Sequence, residues 1–248
     1  MASVALQLYT VRDESAKDFA GTIRRVAEIG YPGVELASYG GLSSADLKAL
    51  LDQTGLRAAS THVGLAALDA DLDKEIDFCV AVGCSYLVVP WLAPEMRDAA
   101  QLKVLAPRLN EYGRRCQERG LVFAYHNHDF EFVAGADGRY LLDALLDSTD
   151  PALLQLELDV YWAAYAGVDP ASYLRKRSGR VPLVHLKDMA ADRGFTEVGA
   201  GTLDMAGIFA AAEEGGVDWY IVENDRPAMP SLESARRSLE YLRGVGKV

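Results

Sequence analysis

The sequence has few cysteines and no long apolar run, and each shortage excludes a class of protein. Its three cysteines, Cys79, Cys84 and Cys116, are odd in number and do not have zinc-site spacing, so we expect buried free thiols in a reducing cytoplasm. No apolar run approaches the roughly 18 residues that a membrane span needs. The N-terminus has no basic leader followed by a long apolar segment, which predicts no secretory signal. We therefore expect a cytoplasmic protein with no membrane partner.

Positive charge is also scarce. Lys and Arg total 25 against 36 Asp and Glu, which gives a formal net charge of −11. Nucleic-acid binding requires clustered Lys and Arg to contact phosphates. The basic clusters here, such as Arg24-Arg25 and Arg175 to Arg177, are short and fall in helical patterns, where they are typical of a solvated helix face. The charge balance argues against a nucleic-acid partner.

Eight short apolar runs recur along the chain and have the composition of strands. Helical patterns separate them at a spacing of roughly 30 residues, which fits a strand, a crossover helix and two loops. The predicted strands are Val4–Tyr9, Gly33–Leu36, Arg57–His62, Tyr86–Trp91, Leu121–Asn127, Leu154–Val160, Pro182–Lys187 and Trp219–Glu223. The predicted helices are 16–30, 45–55, Asp69–Gly83, Glu95–Gly120, Tyr140–Asp147, Ala171–Arg177, Leu203–Glu214 and Leu232–Arg243, with Ser15 capping the first and Ser43 or Ser44 the second.

Strands that alternate with helices indicate a parallel sheet. An open sheet that binds a dinucleotide should carry G-x-G-x-x-G directly after the first strand. Here TVRDESA follows the first strand and no glycine occurs before Gly21. Eight repeated units in about 250 residues favour closure instead. The sequence therefore predicts an α/β fold, a (β/α)8 TIM barrel, as a single domain over residues 1–248.

Polar side chains follow several predicted strands at the point where the strand ends. In such a barrel the active site forms at the carboxyl ends of the strands. All four histidines lie at strand ends, together with two acids and a lysine: His62, His126, His128, Asp159, His185, Lys187 and Glu223. Carboxylates and neutral imidazoles together suit Mn²⁺, Mg²⁺, Co²⁺ or Zn²⁺. We predict that the ends of the last four strands bring four ligands to one divalent metal ion. These ligands are His126 or His128, Asp159, His185 and Glu223.

The metal hypothesis has an ordinary alternative. Asp159 and Glu223 could form salt bridges at the barrel rim with Lys187, Arg226 or Arg12. Metal binding is favoured because both acids follow strongly apolar strands, where an unpaired charge is costly.

The run-end segments AYHNHDFEF, LELDVYW, VHLKD, EVGAGTLD and IVEND also resemble a known family over essentially the whole chain. The family is the xylose isomerase-like TIM barrels, which include sugar isomerases and epimerases, inosose isomerases and dehydratases, and endonuclease IV. The resemblance implies a metal held by an acid after strand five, an Asp after strand six, a His after strand seven and a Glu after strand eight. The last three match Asp159, His185 and Glu223, whereas the first falls at His126.

This departure bears on the chemistry that the resemblance implies. Family epimerases use the glutamates of strands five and eight as paired acid/base groups on opposite faces of the substrate. Here Glu223 would act with His126 or His128, whose unperturbed pKa near 6.5 suits proton transfer. Which of the two histidines meets the metal stays open. Lys187 could polarise a substrate carbonyl, or pair with Asp159 or Glu223.

Further residues at the strand ends are candidates for substrate binding. His62, in STHVG, resembles a rim histidine of the family and could donate a hydrogen bond, while Arg12 stands at the first strand end. Glu35 could bind a hydroxyl or pair with an arginine. Trp91 and Trp162 could form apolar walls against sugar C–H faces, or pack between barrel and helices.

The leading hypothesis is a metal-dependent isomerase or epimerase acting on a small neutral ketose, inosose or keto-glycoside through a metal-stabilised enediolate. The alternative is a lyase or dehydratase that uses the same site on a keto-inositol or keto-sugar. A hypothesis of another class is a non-catalytic sugar-binding barrel. Four histidines are too few for the three zinc ions of endonuclease IV. The expected partner is a small carbohydrate, and a homo-oligomer is possible.

Overall fold

Eight parallel strands close into a barrel in the computed structural model, which describes residues 2–135 and 138–248. The barrel strands are β1 (Ser3–Gln7), β2 (Gly33–Leu36), β3 (Arg57–His62), β4 (Tyr86–Val89), β5 (Val122–His126), β6 (Gln155–Asp159), β7 (Leu183–Leu186) and β10 (Trp219–Val222). Their order around the barrel is β1-β10-β7-β6-β5-β4-β3-β2. Two further strands, β8 (Asp188–Met189) and β9 (Phe195–Thr196), form a small antiparallel hairpin after β7. The predicted (β/α)8 barrel is confirmed.

Helices connect the barrel strands around the outside. They are α1 (Arg12–Ser15), α2 (Phe19–Ile29), α3 (Ser44–Thr54), α4 (Leu65–Val82), α5 (Ala99–Glu118), α6 (Leu141–Asp147), α7 (Val160–Tyr165), α8 (Pro170–Lys176), α9 (Met205–Gly215) and α10 (Ser231–Gly244). Short 3-10 turns occupy Leu8–Val11, Pro94–Met96 and Phe130–Phe132. None of the helices in the described part of the chain is long and apolar enough to cross a membrane.

The helix ends follow the local sequence signals, with one correction. The side chain of Ser43 accepts a hydrogen bond from the Asp46 amide and caps α3, which ends at the left-handed Gly55. The predicted cap Ser15 is wrong, because Ser15 belongs to the short helix α1. Asp18 instead caps α2, accepting a hydrogen bond from the Gly21 amide.

The barrel interior changes from apolar to polar along the strands. Its lower half is a plug of buried side chains: Ala5, Ala59, Tyr86, Val88, Ala124, Leu183, Trp219 and Ile221. Alternate residues of a strand face the same side, so the face that carries Leu183 on β7 continues to His185. The face that carries Trp219 and Ile221 on β10 continues to Glu223. This change in polarity places the chemistry at the carboxyl end of the barrel.

Candidate active site

Three predicted metal ligands meet at the carboxyl end of the barrel. Asp159 and His185 are register partners on the neighbouring strands β6 and β7, and Glu223 follows β10. One ligand atom from each of the three lies within 4.8 Å of the others, and all three side chains are buried. Two carboxylates and an imidazole at this separation form a donor set that a divalent cation prefers.

The chain turns sharply after β5, and the turn separates the two histidines of HNH. Asn127 anchors the turn, because its side-chain oxygen accepts a hydrogen bond from the Asp159 amide over 3.0 Å. The amide of His128 donates to Glu131 Oε2 over 2.7 Å. The rings of His126 and His128 remain neighbours at 5.1 Å. His126 is the nearer to the ligand set, with Nε2 lying 3.8 Å from Asp159 Oδ2.

Lys187 lies among the acids of the site. Its Nζ is 2.8 Å from Glu223 Oε2, 3.1 Å from Asp159 Oδ2 and 3.2 Å from Asp225 Oδ2. The ion pairs that we considered for Asp159 and Glu223 therefore exist. Burial alone would lower the pKa of Lys187, but Asp159 and Glu223 raise it well above its ordinary value, so the amine is an ammonium. Burial alone would raise the pKa of Glu223, yet Lys187 and His185 lower it, so this group is a carboxylate.

A second layer of polar side chains lies beneath the ligands, and sequence reasoning missed most of it. Glu157 Oε2 is 2.7 Å from His62 Nε2 and 2.9 Å from His126 Nδ1. Glu35 Oε2 is 2.6 Å from both Gln7 Nε2 and His185 Nε2. Glu157 and Glu35 are fully buried. The signal that could have found Glu157 is its position two residues before Asp159, since strand alternation turns both side chains into the barrel.

Glu35 was predicted to bind substrate, and the structure places it elsewhere. Its carboxylate accepts hydrogen bonds from Gln7 and from Ser60 Oγ at 2.6 Å, and it contacts His185 from below. With a fully buried side chain it lies under the cavity floor. Its contacts position His185 and leave no surface for a substrate hydroxyl.

The residues present fit a divalent cation. Buried carboxylate oxygens usually have hydrogen-bond partners, but within residues 2–135 and 138–248 neither Asp159 Oδ2 nor Glu157 Oε1 has one. The Asp159 oxygen is close to Lys187 Nζ without the angles of a hydrogen bond. Carboxylates with spare lone pairs, packed beside an imidazole in a buried site, are what metal binding requires.

A cavity of about 820 Å³ opens above these groups. Eight of the predicted catalytic and substrate-binding residues line it: Arg12, His62, Trp91, His126, His128, Trp162, Lys187 and Glu223. The remaining predicted ligands, Asp159 and His185, lie buried just beneath this wall. Trp91 is 45% exposed at the rim, and the Trp162 ring lies 5.6 Å from that of His128. Aromatic walls beside polar groups suit a sugar, whose C–H faces are apolar.

The histidines of the site differ in protonation. Burial alone would lower the pKa of His62, but Glu35 and Glu157 raise it to about 10. Burial and the nearby Lys187 lower the pKa of His128 to about 3. His128 Nδ1 is also buried without a hydrogen-bond partner in the described residues. The cavity wall therefore carries a neutral imidazole beside cationic groups.

Comparison with known proteins shows which family of TIM barrels has this fold and this sequence. Residues 23–245 match the model of the xylose isomerase-like TIM barrel family, so the chain belongs to that family. The resemblance found in the sequence motifs is confirmed.

The proteins that the chain is similar to include inosose dehydratases and a sugar phosphate isomerase/epimerase. The chain is 29% identical to an inosose dehydratase from Geobacillus kaustophilus, with 89% of this chain and 85% of the relative covered. It is 26% identical to an inosose dehydratase from Clostridium beijerinckii, over 91% and 89% of the two chains. The fold is also similar to the crystal structure of a sugar phosphate isomerase/epimerase from Parabacteroides distasonis. The TM-score is 0.88 at 28% identity, over 100% of this chain and 95% of that chain.

Proposed function

We propose that the protein is a metal-dependent lyase that removes water from a keto-inositol or a related keto-sugar. The leading hypothesis from the sequence, an isomerase or epimerase, begins with the same proton abstraction beside a carbonyl. The dehydratase alternative gains support from the relatives that carry that name. It gains independent support from the arrangement of acid and base groups in the cavity.

The observation that carries the proposal is the position of His126. This residue stands where family epimerases have their second glutamate, and its side chain is only 3% exposed, with Nδ1 held 2.9 Å from Glu157. An epimerase needs two similar groups that exchange roles as acid and base on opposite faces. An elimination instead needs one base and a different group that acts as an acid. The second arrangement matches this cavity better.

Asp159, His185 and Glu223 would hold the divalent ion, which as a Lewis acid would polarise the carbonyl and an adjacent hydroxyl of the substrate. We assign the role of base to His128, whose neutral imidazole lines the cavity beside Lys187 and Glu223. Asp225 supplies the acid, since burial and the neighbouring Glu223 raise its pKa to about 7, and it lines the same cavity. The Lys187 ammonium stabilises negative charge that develops on the substrate oxygens.

In the proposed reaction His128 accepts the proton from the carbon beside the carbonyl. The electron pair forms a double bond to the next carbon, whose bond to hydroxyl oxygen breaks. Asp225 gives its proton to the departing oxygen, so water leaves. The organic product is the enol of a diketone, and transfer of a proton from oxygen to carbon gives the diketone itself.

The test uses 2-keto-myo-inositol and measures ultraviolet absorbance together with NMR spectra in heavy water. We expect absorbance of an unsaturated ketone to grow without an isomeric product. His128→Asn should lower kcat by about 10²–10⁴ while metal content and Tm stay unchanged, because His128 lies outside the ligand set. Full turnover by this variant would contradict the assignment of the base.

A second candidate remains the isomerase or epimerase, supported by the Parabacteroides distasonis neighbour. In that case Glu223 and His128 would each transfer a proton, and deuterium from the solvent would enter an isomeric product without a rise in absorbance. The product found in the same experiment therefore decides between the two reactions.

A further inference from the structure

Three arginines surround the mouth of the cavity in a protein whose net charge is −11. Arg12, Arg193 and Arg226 all line its wall, and all three are exposed. Many arginines of the chain instead form ion pairs on the outer helices, for example Arg114 with Glu111 and Arg175 with Glu214. Within the described residues, none of the three at the mouth has a carboxylate partner.

The three guanidinium groups keep most of their donors free. Arg12 donates from Nη1 to the Tyr9 carbonyl over 2.8 Å and from Nη2 to the Asp225 carbonyl over 2.7 Å. Arg193 donates from Nη2 to the Tyr165 carbonyl over 2.5 Å. The side chain of Arg226 has no hydrogen-bond partner in the part of the chain that the structure describes. A guanidinium has five N–H donors, so unused donors remain at each position.

Two of these arginines are held in place by aromatic rings. The guanidinium carbon of Arg12 lies 4.1 Å from the centre of the Tyr9 ring, and that of Arg193 lies 4.4 Å from the centre of the Tyr165 ring. Stacking restricts the guanidinium plane and leaves its edge available for hydrogen bonds. Both groups are therefore oriented at the mouth before any ligand binds.

Arg193 is also kept at a cost to the backbone. Among residues 2–135 and 138–248 it is the one non-glycine residue with a positive φ, 67°. The left-handed region is unfavourable for a long side chain and suits Gly, Asn or Asp. Tyr161 holds this conformation by donating its hydroxyl hydrogen to the Arg193 carbonyl over 2.8 Å. The left-handed conformation belongs to the turn between β8 and β9, where the Arg193 amide donates to the Ala190 carbonyl over 2.9 Å. The turn thereby fixes the position of Arg193 at the cavity wall.

The carboxyl groups of the cavity wall contact Lys187 and form no ion pair with the three arginines in the described residues. Glu223 and Asp225 are the carboxylates of the wall, and Lys187 Nζ contacts both, at 2.8 and 3.2 Å. Among the described residues, the acidic groups of the cavity thus cluster around Lys187, whereas the three guanidinium groups have no carboxylate partner. A ligand with a carbonyl at one end and an anionic group at the other would be oriented by this difference.

We infer that the arginine mouth, formed by Arg12, Arg193 and Arg226, binds an anionic substituent of the substrate, a carboxylate or a phosphate. The inference rests on the proposed function, which concerns the end of the substrate that reacts. It adds that the opposite end of the substrate carries an anionic group. Planar guanidinium groups match both anions through paired hydrogen bonds. The neutral ketose, inosose or keto-glycoside that the sequence predicts would then be only the reacting part of a larger, charged substrate.

The experiment compares the binding of D-glucose, D-glucuronate and D-glucose 6-phosphate by calorimetry at about 20 mM and about 500 mM salt. We expect at least one charged sugar to bind about tenfold more tightly than glucose at low salt, and the advantage to shrink at high salt. Tighter binding of glucuronate would assign a carboxylate, and tighter binding of the phosphate ester a phosphate. Because none of the three probes needs to react, failure here is separate from failure of the lyase reaction.

Variants locate the effect. Arg226→Ala should remove about tenfold of the affinity for the charged sugar and leave that for glucose unchanged. Arg24→Ala, an exposed arginine on α2 outside the cavity, serves as the matched control and should change neither. Equal binding of all three sugars by the wild type, or an equal loss for all three in Arg226→Ala, would overturn the inference.

Arg193→Asn adds a readout that a structural role could not give. Asn tolerates a positive φ better than Arg does, so Tm should hold or rise while the affinity for the charged sugar falls. A lower Tm with unchanged affinity would show that Arg193 serves the fold, and would remove it from the anion site.

Discussion

Glu157 contacts three histidines with one oxygen atom. Its Oε2 lies 2.7 Å from His62, 2.9 Å from His126 and 3.2 Å from His185, and the side chain is fully buried. Burial alone would lower the pKa of His185, but Glu157 and Glu35 raise it well above its ordinary value. Glu223 also contacts His185, with 2.9 Å between its Oε2 and Nδ1, so it shares with Glu157 and Glu35 the compensation of positive charge on the imidazoles.

Replacing Glu157 by Gln should destabilise the fold. The substitution preserves shape but leaves the buried His62 imidazolium with one counter-charge fewer, and loss of one partner of a buried pair costs about 3 kcal/mol. Urea unfolding should reveal the difference. Glu118→Gln, at an exposed acid on α5, is the control and should change the unfolding free energy by less than about 0.5 kcal/mol. An equally small change in Glu157→Gln would show that the histidines do not depend on its charge.

The sequence predicts the residues at strand ends better than those one layer below. Asp159, Glu223 and His185 stand out because a polar residue after an apolar run is conspicuous. Glu157 and Gln7 lie inside such runs, where a single polar letter does not reveal its partners. Their contacts join β1, β3, β5, β6 and β7, and only barrel closure brings those strands together.

Hydrogen bonds to Asp188 hold the glycine-rich segment Glu197 to Asp204 in place. Asp188, at the start of β8, accepts hydrogen bonds from the amides of Gly199, Gly201 and Leu203 at 2.9, 3.0 and 3.2 Å. These donors are therefore occupied by the protein itself. The segment leads into α9 and does not contribute to the cavity wall among the described residues.

Gly201→Ala should disrupt this loop. A Cβ at Gly201 would lie 2.2 Å from Asp188 Oδ1 and 2.5 Å from the Met189 carbonyl oxygen, so the backbone must move. We expect Tm to fall by several degrees, measured by thermal unfolding. Gly244→Ala in α10 is the matched control, since a Cβ there has no neighbour within 4 Å. It should raise stability by roughly 0.5–1 kcal/mol. A Gly201→Ala protein as stable as the wild type would contradict the close approach.

The barrel strands and most of the helices were predictable from the sequence, including the seven-residue helices α6 and α8, whereas some of the shortest elements were not. All eight barrel strands lie within the predicted runs or extend one residue beyond them, as β1 does at Ser3. The hairpin β8–β9 and the short helices α1 and α7 were missed. Two-residue strands and helices of four and six residues offer too few positions for a period to show. Helix α7 begins directly after Asp159, whose side chain accepts a hydrogen bond from the Trp162 amide over 3.0 Å.

At the scale of the whole molecule, barrel closure arranges the side chains of the strands in layers that change from apolar to charged toward the cavity mouth. Apolar side chains fill its lower half, buried histidines and carboxylates form the next layer, and arginines surround the mouth. Although the net charge of the chain is −11, three arginines therefore lie where a substrate would enter. This distribution depends on closure, because separate strands would leave the buried charges without partners.

The central claim is that Asp159, His185 and Glu223 bind a divalent metal, and elemental analysis of the purified protein tests it most directly. We predict near-stoichiometric Mn, Mg, Co or Zn in the wild type and in the control Asp77→Ala, whose acid is exposed on α4. The metal should be lost from both Asp159→Ala and Glu223→Ala, because each removes a ligand. A wild-type protein that holds no metal and takes none up on soaking, or variants that retain it fully, would contradict the account.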